Sequence, residues 1–307
     1  MNKTSLGKTG LQVSPIGFGG APAAYLAADR QRCAAMLNKL LDAGMNVLDT
    51  AASYPGSERF IGDHLSTRRN DYIIVSKCGS KIPESDGAPW SAKLVTDTVD
   101  RALRLLKTDH VDVMLLHSCD LKTLKQGEAL GALAKARDAG KIRFAGYSGD
   151  NDAAEFATTL PDVAVIETSI NLVDQINLAW VPKAQKTQIG VIAKRPIANA
   201  AWKELHQQPG MYQSYAKEYT DRFRMMGLHL GDLGYNASND AAWAEIALRF
   251  TISQPGVQTA VIGTTNPKNA EANLAAANKG PLPEEITGKI RSAFRQADPK
   301  GTWEGLT

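Results

Sequence analysis

Four polar residues in the first half of the chain follow or end stretches that are typical of buried strands. Asp49 ends the run "NVLD", Lys77 ends "YIIVSK", His117 ends "VDVMLLH", and Tyr54 lies on the loop after Asp49. A charged group at the end of a buried strand is costly unless it is paired, so we expect Asp49 to pair with Lys77. The ammonium can then lower the pKa of Tyr54, which makes the phenol a usable acid near neutral pH, and His117 can bind a substrate oxygen.

Each of these residues also has an ordinary structural explanation. An Asp at a strand end often caps the next helix or forms a turn, and a lone Tyr more often packs than reacts. A lone Lys can extend to solvent, and a lone His is more often a core residue with satisfied hydrogen bonds. Together on three successive strand ends they favour a catalytic constellation.

The strand ends converge only if the strands alternate with helices around one sheet. Gly44, Gly140, Gly190 and Gly256 each follow a helix-like stretch and precede a short apolar run, as a helix C-terminus followed by a buried strand requires. Four further runs have the same character: Ile16–Gly19, Tyr72–Ser76, Val111–Leu116 and Val163–Thr168. The sequence therefore predicts eight strands.

Helical patterns lie between the strands and set the fold class. Ser91–Lys107 has a capping Ser and an apolar stripe, and Asn239–Ile252 has Trp243, Ile246 and Phe250 on one face. We therefore predict one α/β domain over residues 1–307, a (β/α)₈ TIM barrel. An open doubly wound sheet is the alternative, but "GFGGAP" fits the expected GxGxxG only in part.

Three segments lie outside the repeat. "TSLGKTGLQVS" predicts an N-terminal β-hairpin that could close the bottom of the barrel, and Pro281–Phe294 predicts an extra C-terminal helix. Ile197–Leu233 is long, polar and aromatic and has no place in the alternation.

Composition narrows the function classes. The chain has 307 residues, of which 43% are hydrophobic and 22% charged, with a net charge of +3 and no Lys/Arg-dense run, so no nucleic-acid partner is expected. The three Cys lack CxxC spacing, which argues against a metal site, and their odd number argues against a disulfide framework. No signal peptide and no 18-residue apolar stretch is found, so we expect a cytoplasmic protein without a membrane partner.

The chain resembles the aldo-keto reductase family, of the bacterial type, over nearly its full length. The matching stretches occur in the family's order: "LGKTGLQVSPIGFGG", "LDAGMNVLDTAASYPGSE", "IIVSKCG", "LLKTDHVDVMLLHS", "GKIRFAGYS", "IETSINLVDQ", "GVIAKRPIAN" and "AVIGTTNPKNAEANL". The resemblance places the family's catalytic tetrad on Asp49, Tyr54, Lys77 and His117. It implies an oxidoreductase that moves a hydride between a nicotinamide cofactor and the carbonyl or alcohol carbon of a small aldehyde, ketone or sugar.

The resemblance also implies a cofactor site, with NADPH as the expected cofactor and NADH as the alternative. Its residues would be Gly20, Asp49, Ser148, Gly149, Glu167, Lys194, Arg195, Pro196, Ile197, Gly263, Thr264, Thr265, Asn269 and Asn273. Four of them depart from the family pattern: Gly149 stands where Asn is common, Glu167 for Gln, Lys194 for an aromatic ring under the nicotinamide, and Asn269 for an Arg on the 2′-phosphate.

Aromatic residues on predicted loops are candidates for the substrate rim. Tyr25, Trp90 and Trp202 could contact a small carbonyl or sugar, or could only pack their loops. A monomer or weak homo-oligomer is expected. The alternative function is a cofactor-binding regulatory subunit with little turnover, as in the potassium-channel β subunits of the same family.

Overall fold

The computed structural model of the protein describes residues 1–25, 29–207 and 210–306, without the side chains of residues 25 and 210–215. The chain begins with a two-stranded antiparallel hairpin, β1 (Thr4–Ser5) and β2 (Gln12–Val13), joined by a 3₁₀ turn at Gly7–Thr9. Gly10 then adopts a φ of 73°, which only glycine takes without strain. The predicted hairpin is confirmed.

Eight parallel strands close a barrel in which β10 pairs with both β3 and β9. The strands are β3 (Ile16–Gly19), β4 (Val47–Asp49), β5 (Ile73–Cys78), β6 (Val111–His117), β7 (Ile142–Ser148), β8 (Val165–Ser169), β9 (Gly190–Lys194) and β10 (Thr259–Ile262). The (β/α)₈ barrel is confirmed, and the open sheet is ruled out by its closure. Several strands extend past the predicted ends and so include Lys77, His117 and Ser148.

Helices surround the barrel, and the three helices predicted above, including the extra C-terminal one, are present with ends that differ by up to three residues. They are α1 (Ala21–Tyr25), α2 (Arg30–Asp42), α3 (Ser57–Leu65), α4 (Ala92–Leu106), α5 (Leu121–Gln126), α6 (Glu128–Asp138), α7 (Asn151–Ala157), α8 (Val181–Lys186), α9 (Gly210–Met226), α10 (Ala242–Ile252), α11 (Pro267–Asn278) and α12 (Glu284–Ala297). Ser91 caps α4 as predicted, accepting a hydrogen bond from the Leu94 amide at 3.2 Å. Helix α10 begins three residues later than predicted, because turns occupy the approach to Ala242.

The barrel interior is filled by branched apolar side chains. Val47, Val75, Val113, Val165 and Ile192 form one buried cluster with residues of the hairpin, which closes the end where the strands begin. The hairpin therefore covers this end, and in barrels of this type ligands bind at the opposite end, where the strands finish.

The long segment after β9 forms a second, separate layer. It contains short 3₁₀ turns and α9, and its buried side chains cluster with residues of α10 and α12, including Tyr219, Trp243 and Phe294. Among the described residues, no helix combines the length and the apolar character that crossing a membrane demands.

Candidate active site

Lys77 and Asp49 form a buried ion pair at the finishing ends of β5 and β4. The Lys77 ammonium donates to an oxygen of Asp49 and, at 3.0 Å, to the carbonyl of Thr50. Burial opposes the charge on Lys77, but the attraction of Asp49 and Glu167 outweighs it and raises the pKa of Lys77. The predicted pairing is confirmed, and Lys77 remains a cation throughout the neutral range.

Tyr54 lies beside this ammonium, and His117 lies against Tyr54. The Lys77 Nζ is 5.5 Å from the centre of the Tyr54 ring, and the Tyr54 and His117 rings meet edge to face with centres 6.0 Å apart. His117 Nδ1 lies 3.3 Å from the Ser53 hydroxyl. Burial and the charge of Lys77 lower the pKa of His117 to about 3, so the imidazole is neutral at physiological pH. A neutral imidazole can donate one hydrogen bond and accept another.

Ser148 on β7 and Glu167 on β8 are register partners in neighbouring strands. They belong to one layer of side chains with Asp49, Lys77, Tyr54 and His117. The Ser148 hydroxyl donates to Glu167 Oε1 at 3.1 Å, and Glu167 Oε2 lies 3.4 Å from Lys77 Nζ. Glu167 is buried, which favours its neutral form, yet the charge of Lys77 outweighs burial and lowers its pKa. The site thus holds a second carboxylate on the ammonium that the sequence paired only with Asp49.

Lys194 also points into this layer, where it contacts Asp150. Its ammonium lies 3.0 Å from Asp150 Oδ2. The other Asp150 oxygen accepts hydrogen bonds from the Thr168 hydroxyl, the Ser169 amide and the Asn177 amide at 2.7–2.8 Å. Burial opposes ionisation of Asp150, but Lys194 and these donors outweigh it and lower its pKa.

Arg195 begins a segment with unusual backbone angles. It has a φ of 56°, and Ala198, Asn199 and Ala200 have φ values between 47° and 55°, a region that side chains other than glycine seldom adopt. The Arg195 guanidinium donates to the Ser169 hydroxyl at 3.1 Å and to the carbonyl of Leu306. Arg195 therefore holds the C-terminal tail in this structure, while Pro196 and Ile197 continue the turn.

The C-terminal tail crosses the finishing ends of β7 to β9. The Leu306 amide donates to Asp174 at 3.0 Å, and the Gly305 amide donates to Asn151 at 2.6 Å. Arg222 lies with its guanidinium 4.9 Å from the Trp303 ring. Nothing in the sequence pattern placed this tail at the mouth of the barrel.

The end of β10 lies beside β3 and β9 and leads into α11. Gly263, Thr264 and Thr265 form the link, and Asn266 caps α11 by accepting from the Lys268 amide at 3.0 Å. Asn269 and Asn273 follow on that helix. On the β3 side the Gly20 amide donates to the Asp49 carbonyl at 2.7 Å, and a Cβ on Gly20 would meet the Ser57 hydroxyl at 2.6 Å.

Gly149 has a steric reason to lack a side chain. A Cβ on Gly149 would lie 2.3 Å from the hydroxyl of Tyr147, which donates to the Cys119 carbonyl at 2.7 Å. Burial raises the pKa of Cys119 to about 12, so its thiol is unreactive at neutral pH. The Tyr147 ring thus occupies the space that Asn would need.

The three candidate substrate residues lie in different surroundings. The Trp90 ring covers Gly79, two residues beyond Lys77, and its amide donates to the Gly79 carbonyl at 3.0 Å. Trp202 packs against Trp243 with ring centres 6.5 Å apart, in the second cluster, which fits its packing interpretation. The side chain of Tyr25 lies outside the described residues. A groove of about 920 Å³ lies between the loops after β6 and β7, with Ser118, Lys122 and Asn151 among its lining residues.

Comparison with known proteins decides the family. The profile of the Aldo/keto reductase family matches residues 15–295. The chain belongs to the aldo-keto reductase family. It is 27% identical to the uncharacterized oxidoreductase YqkF of Bacillus subtilis, over 96% of this chain and 97% of that protein. It is also 27% identical to L-galactose dehydrogenase of Arabidopsis thaliana, over 89% and 86% of the two chains.

A solved structure shows the same fold. The aldo-keto reductase AKR11C1 from Bacillus halodurans, in its holo form, superposes with a TM-score of 0.80 at 24% identity, over 96% of this chain and 97% of that one. The predicted family is confirmed, and this aldo-keto reductase is an oxidoreductase on a TIM barrel.

Two groups in this aldo-keto reductase fit a nicotinamide cofactor. Glu167 is buried with its Oε2 3.4 Å from the Lys77 ammonium, and the Ser148 hydroxyl donates to its Oε1. A carboxylate oxygen in that position can accept from a carboxamide NH₂. The amides at the start of α11 are a second suitable group, because a helix N-terminus attracts phosphate.

Asp150 was missed by the sequence analysis, although it is fully buried and holds Lys194. The only signal was its place directly after Ser148 and Gly149. A buried Lys at a strand end is costly without an acidic partner. The same argument that paired Lys77 with Asp49 therefore predicts an acidic partner for Lys194.

Proposed function

We propose that this protein catalyses the NAD(P)H-dependent reduction of a small aldehyde, ketone or sugar carbonyl, or the reverse oxidation of the alcohol. The observation that carries the proposal is the buried Lys77–Asp49 pair beside Tyr54 and His117, at the open end of the barrel. The name of one relative, L-galactose dehydrogenase, supports the same class of reaction on a sugar.

In this proposal each of the four side chains has one role. Tyr54 gives its phenolic proton to the carbonyl oxygen, and the fixed charge of Lys77 stabilises the phenolate that remains. Asp49 keeps Lys77 in place. His117, neutral because of its low pKa, donates a hydrogen bond to the same oxygen and so orients the carbonyl.

The bound nicotinamide supplies the hydride for this reaction. Ser148 and Glu167 would hold its carboxamide, Arg195 to Ile197 its pyrophosphate, and Gly263 to Thr265 with Asn269 and Asn273 the adenosine end, while Gly20 and Asp49 would border it. We propose NADPH as the preferred cofactor, with Lys268 at the start of α11 supplying the cation that Asn269 lacks. Trp90 would border the substrate near Lys77.

A substrate panel tests the proposal. Purified protein is incubated with aromatic aldehydes, ketones and aldoses, each with NADPH and with NADH, and cofactor oxidation is followed by absorbance. The proposal requires sustained turnover with at least one carbonyl. Tight binding of either cofactor without turnover on any carbonyl would instead favour the regulatory alternative.

A further inference from the structure

Glu167 is placed to act on the reaction chemistry itself and not only on a bound cofactor. It lies on the same ammonium as Asp49, with its Oε2 3.4 Å from Lys77 Nζ. An ammonium has three donors, and Asp49 and the Thr50 carbonyl take two of them. The third is left for Glu167, whose Oε2 lies 3.4 Å from Nζ, and for Tyr54, whose ring centre lies 5.5 Å from Nζ.

The surroundings fix Glu167 in this position. The Ser148 hydroxyl holds its other oxygen at 3.1 Å, and the β7–β8 register sets Ser148 directly opposite Glu167. Glu167 is 2% exposed and Lys77 is 1% exposed, so water screens their interaction little. A glutamine would have the same shape here, so the charge is what distinguishes Glu167.

The other charged groups around Glu167 do not cancel that charge. Facing the same layer are Asp49 on β4, Lys77 on β5, the neutral His117 on β6, and Lys194 with Arg195 at the end of β9. Lys194 is already matched by Asp150 at 3.0 Å. Glu167 and Asp49 therefore share the cation of Lys77, and burial, together with the charge of Glu167, raises the pKa of Asp49.

We propose that Glu167 is a positioning residue of the tetrad: it shares the Lys77 ammonium with Asp49, and its negative charge keeps Tyr54 protonated to a higher pH than one carboxylate would. The inference rests on the proposed function for its consequence in catalysis. The effect of the Glu167 charge on the titration of Tyr54 can be measured without a substrate.

The decisive variant is Glu167→Gln, which removes the charge and keeps the shape. With Glu167 neutral, Asp49 alone offsets the charge of Lys77, so more of that charge acts on Tyr54 and favours the phenolate. One buried charge removed from the partners of Lys77 should shift the pKa of Tyr54 by about one unit. In the pH profile of kcat for carbonyl reduction, activity should fall on the alkaline side as Tyr54 loses its proton. We expect this alkaline limb of the profile to move to lower pH by about one unit in Glu167→Gln.

Two control variants separate charge from structure. Glu167→Asp keeps the charge and should leave the limb within about half a unit of the parent. Glu58 is also a buried glutamate, but it lies outside this layer and pairs with Arg101, at 2.6 Å. The variant Glu58→Gln should therefore leave the alkaline limb of the pH profile in place. Thermal unfolding of each variant shows whether it is folded at the assay temperature.

A measurement without turnover makes the test independent of the proposed function. Tyrosinate absorbance is titrated in the parent, in Glu167→Gln, and in each with Tyr54→Phe, so that the difference reports Tyr54 alone. A shift of about one unit to lower pH in Glu167→Gln supports the inference even if no carbonyl is ever turned over. If the Tyr54 titration and the alkaline limb stay in place while only cofactor affinity changes, Glu167 is a carboxamide contact and the inference is overturned.

Discussion

The ammonium of Lys194 lies 3.0 Å from the carboxylate of Asp150 at the mouth of the barrel. Both side chains are largely enclosed, with 13% and 0% of their surfaces exposed. The end of β9 therefore carries a second buried ion pair in the same layer as Lys77 and Asp49, where the family pattern has an aromatic ring.

Removing the cation of this pair should strongly destabilise the fold. Lys194→Met leaves the charge of Asp150 buried without its cation, a change that typically lowers the free energy of unfolding by about 3–5 kcal/mol. The double variant Lys194→Met/Asp150→Asn should recover part of that loss. Urea unfolding of the three proteins measures both effects.

An exposed ion pair provides the matched control. Lys183 pairs with Glu155 on the surface, with 60% and 49% of the side chains exposed. Lys183→Met should change the free energy of unfolding by no more than about 1 kcal/mol. Equal losses from Lys183→Met and Lys194→Met would contradict the buried-pair interpretation.

The low pKa of His117 predicts that stability falls in mild acid. The folded protein resists protonation of His117 until about pH 3, whereas the unfolded chain takes up the proton near pH 6.5. Between these values the unfolded state binds more protons, so the free energy of unfolding decreases as the pH falls through 6.5. From pH 7 to pH 5 His117 should contribute a loss of about 2 kcal/mol.

The variant His117→Gln isolates this contribution. Glutamine does not titrate, so the variant should lose about 2 kcal/mol less than the parent between pH 7 and pH 5, whatever its absolute stability. His64, a residue of α3 outside this layer, serves as the control through His64→Gln. An unchanged pH dependence in His117→Gln would show that His117 is not protected from protonation.

The contact between Arg195 and the C-terminal tail predicts coupling between the tail and cofactor binding. Arg195→Ala should weaken binding of NADPH and NADH by similar factors if Arg195 reaches the pyrophosphate, and of NADPH alone if it reaches the 2′-phosphate. Deleting residues 303–307 removes the Leu306 carbonyl that Arg195 holds, together with the Trp303 contact of Arg222. We expect the deletion to weaken cofactor binding in the same way, because Arg195 loses its orientation.

Fluorescence titration of the single and combined variants measures the coupling. The two changes should be far from additive, since they act through one side chain. Arg224→Ala, which removes an exposed arginine paired with Glu204, should leave both affinities unchanged. Tighter cofactor binding after the deletion would mean that the tail competes with the cofactor and does not orient Arg195.

Local patterns were enough to predict the barrel, because each strand is a short apolar run and each helix has its own apolar stripe. The pairing of Lys77 with Asp49 was predictable for the same reason, since both residues end neighbouring strands. The strands that contain Lys77, His117 and Ser148 extend one to three residues further than their apolar runs predict. Polar residues at the end of a strand resemble the start of a loop, so the sequence alone places the strand end too early.

The rest depended on contacts between distant parts of the chain. The hold of Arg195 on Leu306 joins residues 111 positions apart, and no periodicity reports such a contact. The clash that explains Gly149 requires the position of the Tyr147 ring, and the second carboxylate on Lys77 requires the register of β8. These features lie at the open end of the barrel, around the tetrad, and they follow from the three-dimensional structure alone.

The role of Tyr54 as the acid is tested most directly by comparing the parent with Tyr54→Phe on one substrate found in the carbonyl panel. The variant loses only the hydroxyl, so the fold and cofactor binding should survive, which thermal unfolding and fluorescence titration check. General acid catalysis contributes about 10²–10⁴-fold, and we predict a fall in kcat of at least about 10²-fold with cofactor affinity nearly unchanged. A kcat for Tyr54→Phe within a few-fold of the parent would contradict the account.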